Sequence, residues 1–220
     1  MADIDPFATG AAAPGHFGAA GSGVTLAAAT IGAAWNVQGD PARPGFVTAV
    51  RDAFGVELPL RPNTLARGDA LTALWLCPRS WLLVAADAPP LDDCPARRDA
   101  INAAGGALFD VSAGRVGWSV AGPRAADVLA KGCPLDLDPR AFAPGACAQS
   151  VYGRIGALVA RCDESPAYAL LVPRSYARDA WQALCEAAAQ YGADVLPPAP
   201  FGHPAGQPGG RAPAPHDGRP

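Results

Sequence analysis

The clearest structural signal in the chain is the stretch LTALWLCPRSWLLVAA, residues 71–86. Its two apolar runs, Leu71–Leu76 and Trp81–Ala86, are separated by the short segment Cys77–Ser80, which contains a proline. Two apolar runs parted by such a turn are typical of a β-hairpin. Both runs are far shorter than the about 20 residues that a membrane-spanning helix needs, so we expect no association with a membrane.

The segments around the hairpin alternate between strand and helix patterns, because apolar residues recur first at a period of two and then at helical spacing. The predicted elements are, in chain order, a strand at Thr30–Gly39, a helix from Pro44 to Gly55, the hairpin, a helix capped by Asp93 that starts at Pro95 and ends at Gly105-Gly106, and a strand at Leu108–Val111. This β-α-β-β-α-β order is that of a ferredoxin-like unit.

A second series of elements follows, and it again mixes strands with two helices. The predicted elements are a strand at Val116–Val120, a helix from Gly122-Pro123 to Gly132, strands at Cys147–Tyr152, Ile155–Arg161 and Tyr168–Val172, a helix capped by Ser175 that runs to Tyr191, and a short strand at Val195. We therefore predict an α+β fold of two ferredoxin-like β-α-β-β-α-β halves, residues 24–113 and 114–196.

Glycine and proline are concentrated near the two ends of the chain. Residues 1–23 are rich in Ala and Gly, and residues 197–220 contain eight Pro and five Gly, so we expect a flexible arm and a disordered tail around a domain at 24–196. All three histidines, His16, His203 and His216, fall in these terminal segments. The predicted domain then has no residue for a Ser-His-Asp triad, a Cys-His pair or a histidine metal site.

Charge and cysteine spacing exclude further classes of function. The net charge of −3 provides no basic surface for nucleic acid, and the acidic start MADIDPFATG lacks the pattern of a secretory signal, so a cytoplasmic protein is expected. No two of the six cysteines are closer than fourteen residues, which excludes C-x-x-C zinc and redox motifs. We expect the thiols to be buried and free, as in a reducing compartment.

Phosphate-binding loops and paired carboxylates were the next candidates for chemistry. The run Gly18–Gly23 lacks the third glycine of a dinucleotide loop, since Leu26 stands there, and no phosphate-loop G-x-x-x-x-G-K-[ST] occurs. Asp92-Asp93 lies at a predicted helix start, and Asp136 and Asp138 lie in a proline-rich turn. Turn and capping roles are expected for both pairs, with acid/base catalysis as the alternative.

One polar cluster lies between the two predicted halves. Asp110, Ser112 and Arg115 surround Gly114, and we expect a tight turn braced by the Asp and the Arg, with an interaction site at the junction of the halves as the alternative. Four tryptophans on predicted strands are expected in the core, although one at a sheet edge would suit an interface. They are Trp35, Trp75, Trp81 and Trp118.

Several strings of this sequence, taken in order, resemble one known family. They are WNVQGD at 35–40, PNT at 62–64, LWLCP at 74–78, WLLV at 81–84, DVSAGR at 110–115, GPRAADVLAKGCPLDL at 122–137, PRAF at 139–142 and PRSY at 173–176. Together they resemble the gamma subunit of heterotetrameric sarcosine oxidase over the whole predicted domain. Cys77, where a glycine is expected, and the proline-rich tail depart from the family pattern.

The resemblance implies a place in a complex of alpha, beta, gamma and delta subunits. Such a complex oxidises sarcosine with O₂ to glycine and hydrogen peroxide and passes the one-carbon unit to tetrahydrofolate. In that family FAD, FMN and NAD belong to alpha and beta, and zinc to delta, whereas gamma has a fold resembling part of the folate-binding aminomethyltransferases. The resemblance therefore implies no catalytic, cofactor-binding or metal-binding residue in this chain.

Two alternatives remain open from the residues alone. The first is a stand-alone folate-binding protein of the aminomethyltransferase superfamily, or a maturation factor of that group, since Lys131-Gly132-Cys133 is similar to its K-G-C motif. Here Pro-Leu-Asp follows the tripeptide, in place of the Tyr-x-Gly-Gln of that motif. The second alternative is an unrelated adaptor of ferredoxin-like type.

Overall fold

A computed structural model gives the structure of residues 14–87, 94–162 and 165–203. Within these residues the chain forms thirteen strands and four α-helices. The strands are β1 Gly15–Phe17, β2 Val24–Thr30, β3 Ala33–Gln38, β4 Leu65–Arg67, β5 Leu71–Cys77, β6 Ser80–Ala85, β7 Ala107–Asp110, β8 Arg115–Ala121, β9 Cys147–Tyr152, β10 Ile155–Ala160, β11 Ala167–Pro173, β12 Ala193–Val195 and β13 Ala199–Pro200. The helices are α1 Pro44–Phe54, α2 Cys94–Ala103, α3 Ala125–Ala130 and α4 Ala177–Ala189.

The strands form two sheets. A five-stranded antiparallel sheet has the order β4-β5-β6-β3-β7. An eight-stranded sheet has the order β1-β12-β2-β8-β11-β10-β9, with β13 also paired to β2. Its pairings are antiparallel except those of β12 and β13 with β2. The fold is therefore mixed α+β with two sheets, as the sequence predicts at that level.

The two sheets pack face to face, and the helices cover their outer faces. One core lies between α1, α2 and the five-stranded sheet, and it contains Phe46 and Trp81. A second lies between α3, α4 and the eight-stranded sheet, and it contains Trp118 and Trp181. A third core lies between the sheets and is built from smaller side chains, and we call it the inter-sheet layer. The result is an α-β-β-α sandwich in which each buried strand face meets an apolar partner.

Proline and glycine set the bounds of α1 where the sequence predicts them. Pro44 is the first helical residue, where its missing N–H costs nothing. Gly55 ends the helix in the left-handed region, with φ 65°. Its N–H donates to the Arg51 carbonyl at 2.7 Å. The face carrying Phe46 and Phe54 is buried, so this helix is confirmed.

The first half keeps the predicted order of elements with two strands added. The hairpin is confirmed as β5 and β6, and the predicted strand at Thr30–Gly39 is confirmed as β3. The additional strands are β2, which pairs within the other sheet, and β4, which pairs with β5. Helix α2 starts at Cys94, and its predicted cap Asp93 lies outside the described residues.

The second half is not a β-α-β-β-α-β unit, although its predicted strands at 147–152, 155–161 and 168–172 are confirmed as β9 to β11. These three strands between α3 and α4 are one more than that unit has, and β2 is inserted between β8 and β12. Strand β2 comes from the residues assigned to the first half, so the split at residue 113 does not separate the two sheets. The predicted cap Ser175 is also wrong, since it lies within a short 3₁₀ turn and α4 begins at Ala177 without a side-chain cap.

Short strands occur in both segments that the sequence assigns to flexible ends. Strand β1 pairs with β12, and β13 pairs with β2. Gly18 has φ 89°, and a Cβ there would collide with the main chain of Ala189, whose carbonyl accepts the Ala19 N–H at 2.8 Å. Phe201 is buried in the inter-sheet layer. The glycine that suggested flexibility is therefore what lets residues 18–19 approach the end of α4 so closely.

Candidate functional site

The turn between β7 and β8 places the predicted polar cluster at one end of the sandwich. The Ser112 hydroxyl donates to Asp110 Oδ1 at 2.6 Å, and the Ser112 N–H donates to the same oxygen at 2.9 Å. These hydrogen bonds hold the pKa of Asp110 below its usual value, because they favour the ionised carboxylate. The Ala34 N–H donates to Ser112 Oγ at 2.9 Å, which fixes the turn to β3.

The predicted Asp–Arg brace is wrong, since Ser112 takes the place of Arg115 as the partner of Asp110. Arg115 is half-buried at the start of β8, and burial lowers the pKa of its guanidinium. Across the described residues, this guanidinium has no hydrogen-bond or ion-pair partner. The guanidinium is thus partly removed from water without a counter-ion among the described residues, and its remaining exposure keeps the cost to the fold small.

A groove of about 350 Å³ opens in front of the Arg115 side chain. It lies between the inner face of the five-stranded sheet and the start of β8, and we call it the Arg115 groove. It is lined by Asn36, Gln38, Leu76, Leu82, Phe109, Val111 and Arg115. Asn36 Nδ2 donates to Ser80 Oγ at 2.8 Å, and Gln38 Nε2 donates to Asn36 Oδ1 at 2.6 Å. The neutral polar groups of the wall are thus largely engaged with each other.

Phe109 is the groove residue that the sequence does not single out. It is 50 % exposed on β7, the last strand of its sheet, while Leu108 beside it is buried. Alternation along Leu108–Val111 gives opposite faces to these two residues. The alternation does not reveal which of the two faces is exposed, because that depends on where the eight-stranded sheet ends.

A larger cavity of about 630 Å³ lies on the other side of the five-stranded sheet. Its charged lining residues are Arg67, Asp69, Asp87, Arg97 and His203, beside the rings of Trp35 and Phe54. The Arg67 guanidinium contacts His203 Nε2 at 3.0 Å. The charges of this cavity are mixed, and we assign it no ligand.

The prediction that the folded part lacks histidine is wrong. His16 lies on β1, where its Nδ1 and Asp194 Oδ1 are 2.7 Å apart, and His203 follows β13. The hydrogen bond with Asp194 raises the pKa of His16, since it stabilises the imidazolium form. Histidine is therefore present in the folded part, where the His16 ring contacts Asp194 Oδ1 and the Ala19 carbonyl.

The paired carboxylates Asp136 and Asp138 have the predicted turn role. The Asp138 N–H donates to Asp136 Oδ1 at 3.0 Å, and the Arg140 N–H and Nε both donate to Asp138 Oδ1 at 2.9 Å. The hydrogen bonds from Arg140 lower the pKa of Asp138 to about 2. A carboxylate with so low a pKa is a poor general acid or base near neutral pH. The other pair, Asp92-Asp93, lies outside the described residues.

The cysteines and tryptophans follow the prediction only in part. All six cysteines are free, but only Cys133 and Cys147 are buried, and Cys77 is exposed. Burial raises the pKa of Cys147 to about 11, which keeps this thiol protonated and unreactive. No group of three or more His, Cys, Asp or Glu that could hold a metal ion occurs in the part of the chain with a described structure. Three of the four strand tryptophans are buried, and Trp75 is only half-buried.

Lys131 has a structural role in the tripeptide Lys131-Gly132-Cys133. Its Nζ donates to the Ala187 carbonyl at 2.6 Å and lies 4.7 Å from the centre of the Tyr191 ring. The ammonium thus joins the end of α3 to the end of α4, where the helix dipole favours a cation. Cys133 is buried, and its Sγ donates to Ser150 Oγ at 3.7 Å. These contacts explain the first and third residues of the tripeptide without a bound ligand.

The fold of this chain is similar to part of an aminomethyltransferase structure. The structure of the glycine cleavage system aminomethyltransferase T from Bartonella henselae has a TM-score of 0.54 to this chain at 14 % identity. The match covers 80 % of this chain and 48 % of that one. At this identity the likeness defines the class of fold and says nothing of activity.

The family itself is defined by sequence. The model of the sarcosine oxidase, gamma subunit family matches residues 38–190, so the chain belongs to that family, as the sequence resemblance predicts. A chain in the structure of heterotetrameric sarcosine oxidase from Corynebacterium sp. U-96 has a TM-score of 0.68 and 28 % identity to it. That match covers 80 % of this chain and 88 % of the other.

Two proteins named sarcosine oxidase subunit gamma are similar to part of the chain. The one from Corynebacterium sp. strain P-1 is 33 % identical over 143 residues, 63 % of this chain and 66 % of its own length. The one from Corynebacterium sp. strain U-96 is 41 % identical over 95 residues, 43 % of this chain and 45 % of its own length. The chain thus spans less than two thirds of each relative. In the described ranges, no helix has the length and apolar character needed to cross a membrane.

Proposed function

We propose that the chain is the non-catalytic gamma subunit of a heterotetrameric sarcosine oxidase. The observation that carries this proposal is the family match over residues 38–190, which spans both sheets. The likeness to a chain of a heterotetrameric sarcosine oxidase supports it. The role proposed for this chain is structural, in assembling the complex.

The complex that we propose around this chain also contains alpha, beta and delta subunits. It demethylates sarcosine oxidatively to glycine and yields hydrogen peroxide and 5,10-methylenetetrahydrofolate. FAD, FMN, NAD and zinc are placed in the partner subunits, tetrahydrofolate is a co-substrate, and the complex is cytoplasmic. The contacts of this chain's own candidate groups support the structural role, since Asp136, Asp138 and Lys131 are engaged in turns and helix contacts.

The test is a purification through a tag on this chain after co-expression with the proposed partner subunits. We expect the eluate to show flavin absorbance and sarcosine-dependent peroxide formation, whereas the chain expressed alone is colourless and inactive. A flavin spectrum or turnover in the isolated chain would contradict the proposal. So would tight tetrahydrofolate binding by the isolated chain in calorimetry, which would instead favour a stand-alone folate-binding protein.

A further inference from the structure

The Arg115 groove lies at the open end of the inter-sheet layer. Its apolar lining, Leu76, Leu82 and Val111, continues the inner face of the five-stranded sheet past the start of β8. Phe109 adds an aromatic ring that is 50 % exposed. Such an apolar surface beside charged groups is characteristic of protein interfaces, where aromatic residues and arginine are enriched.

Two guanidinium groups lie beside this apolar surface without a carboxylate partner. Arg115 faces the groove. Its main chain pairs with that of Pro173 on β11, and Arg174 is the residue after Pro173, so the two arginines lie at the same end of the sheet. Arg174 Nε donates to the Ala113 carbonyl at 2.8 Å, in the turn that precedes Arg115. In the described ranges neither guanidinium forms an ion pair. Arg115 and Arg174 thus place two positive charges at this end of the sandwich against the one carboxylate of Asp110, although the chain as a whole has a net charge of −3.

Nearby groups within the chain do not neutralise Arg115. The closest carboxylate in sequence, Asp110, is held by the hydroxyl and the N–H of Ser112. The amide groups of Asn36 and Gln38 bond to each other and to Ser80. Among the described residues, then, no carboxylate pairs with Arg115 and no side chain covers the exposed part of Phe109.

We propose that the Arg115 groove binds an extended segment of another subunit of the oxidase, which places a carboxylate on Arg115 and an apolar side chain against Phe109. This inference rests on the proposed function, since it assigns the docking surface of the gamma subunit. A segment of protein fits better than a small ligand, because the groove is open along the sheet and would leave a small molecule largely in water. Binding would remove water from the guanidinium and strengthen its pairing with the carboxylate.

The experiment compares two variants in the groove with two matched controls in the co-expressed complex. Arg115→Glu and Phe109→Asp alter the groove, while Arg61→Glu and Leu60→Asp make the same changes at exposed positions elsewhere, Leu60 being 56 % exposed. The measured quantity is the flavin absorbance recovered per tagged chain. We expect each groove variant to lower this ratio about tenfold or more, and each control to leave it within about twofold. Unchanged thermal melting of the isolated variants shows that they still fold.

Each outcome bears on one proposal or the other. If the wild-type chain recovers no flavin subunit, the proposed function fails. If the wild type recovers flavin and both groove variants do so equally well, only the docking inference fails. Equal losses of flavin recovery in the groove variants and in the controls would also overturn the docking inference, because recovery would then depend on the net charge of the chain and not on the groove. A wild-type dimer of the isolated chain that Arg115→Glu makes monomeric would show that the groove binds a second copy instead.

Discussion

The inter-sheet layer ends differently on its two sides. On the side of β4 and β9 the sheets are joined by main-chain bonds, since the Leu65 N–H donates to the Gly145 carbonyl at 2.9 Å and the Cys147 N–H donates to the Asn63 carbonyl at 3.0 Å. Cys147 Sγ also donates to the Thr64 carbonyl at 3.2 Å. On the side of β7 and β8 the layer opens into the Arg115 groove. We call these the closed end and the open end.

The contrast shows which parts of the layer are complete within one chain. At the closed end the polar groups of the main chain are satisfied by other main-chain groups, and the thiol beside them is fully buried. At the open end a charge and an aromatic ring remain exposed. We therefore expect substitutions at the closed end to change the stability of the isolated chain, and substitutions at the open end to change its assembly with partner subunits.

The largest effect on stability is expected in the middle of the inter-sheet layer. Leu158 is 1 % exposed and packs between the sheets, so Leu158→Ala would leave a cavity and lower the free energy of unfolding by about 2–5 kcal/mol. Val151→Ala, at a position 39 % exposed on the neighbouring strand β9, should change it by no more than about 0.5 kcal/mol. Urea unfolding of the isolated chain measures both, and equal losses would show that the layer is not tightly packed.

A smaller effect is expected from the backbone at the closed end. Asn63 has φ 58°, in the left-handed region, while its carbonyl accepts the Cys147 N–H. A β-branched residue is strained there, so Asn63→Val should cost about 1–2 kcal/mol in urea unfolding. Asn63→Gly adopts the same conformation freely and is the matched control. If the two variants were equally stable, the closed end would not depend on this turn.

At the open end the effect on stability should nearly vanish. Arg115→Met removes a charge without a partner but keeps a side chain of similar length, so the free energy of unfolding should change by no more than about 0.5 kcal/mol. Flavin recovery through the tagged chain should nevertheless fall, as for Arg115→Glu. A loss of stability above about 2 kcal/mol would instead give Arg115 a structural role and remove the contrast between the ends.

The sequence is informative wherever local signals determine the structure. Helix α1 is predicted to within a residue, because proline fixes its start and glycine permits the left-handed end. The hairpin of β5 and β6 is predicted because its two apolar runs are adjacent in sequence. The turn role of Asp138 is predicted for the same reason, since its partner Arg140 is two residues away.

Features that depend on distant segments are not predictable from such signals. Strand β2, residues 24–30, lies between β8 and β12 in the eight-stranded sheet. The alternation of apolar residues predicts a strand but does not indicate which other strand it pairs with. The exposure of Phe109 and the missing partner of Arg115 depend on where one sheet stops covering the other. The sequence around His16 predicts a flexible segment, because it is rich in glycine and alanine, but the partner of His16, Asp194, lies far along the chain.

The smallest effect on stability is expected at the outer edge of the eight-stranded sheet. There an exposed ion pair only adds to the main-chain pairing that holds β1 in place. His16 and Asp194 are directly opposite each other on β1 and β12. Their hydrogen bond raises the pKa of His16 above 6.5, so the stabilisation is complete below that pH and is lost as pH rises through the raised pKa. The protection factors of the β1 amides in hydrogen exchange should therefore be constant below about pH 6.5 and decrease as the pH rises above it. His16→Gln should abolish this pH dependence while β1 stays paired, because the main-chain pairing of β1 with β12 does not involve the imidazole. If the dependence persisted in the variant, the edge would be governed by another titrating group. If the wild-type chain showed no pH dependence, this edge would resemble the closed end, where neutral main-chain bonds alone suffice.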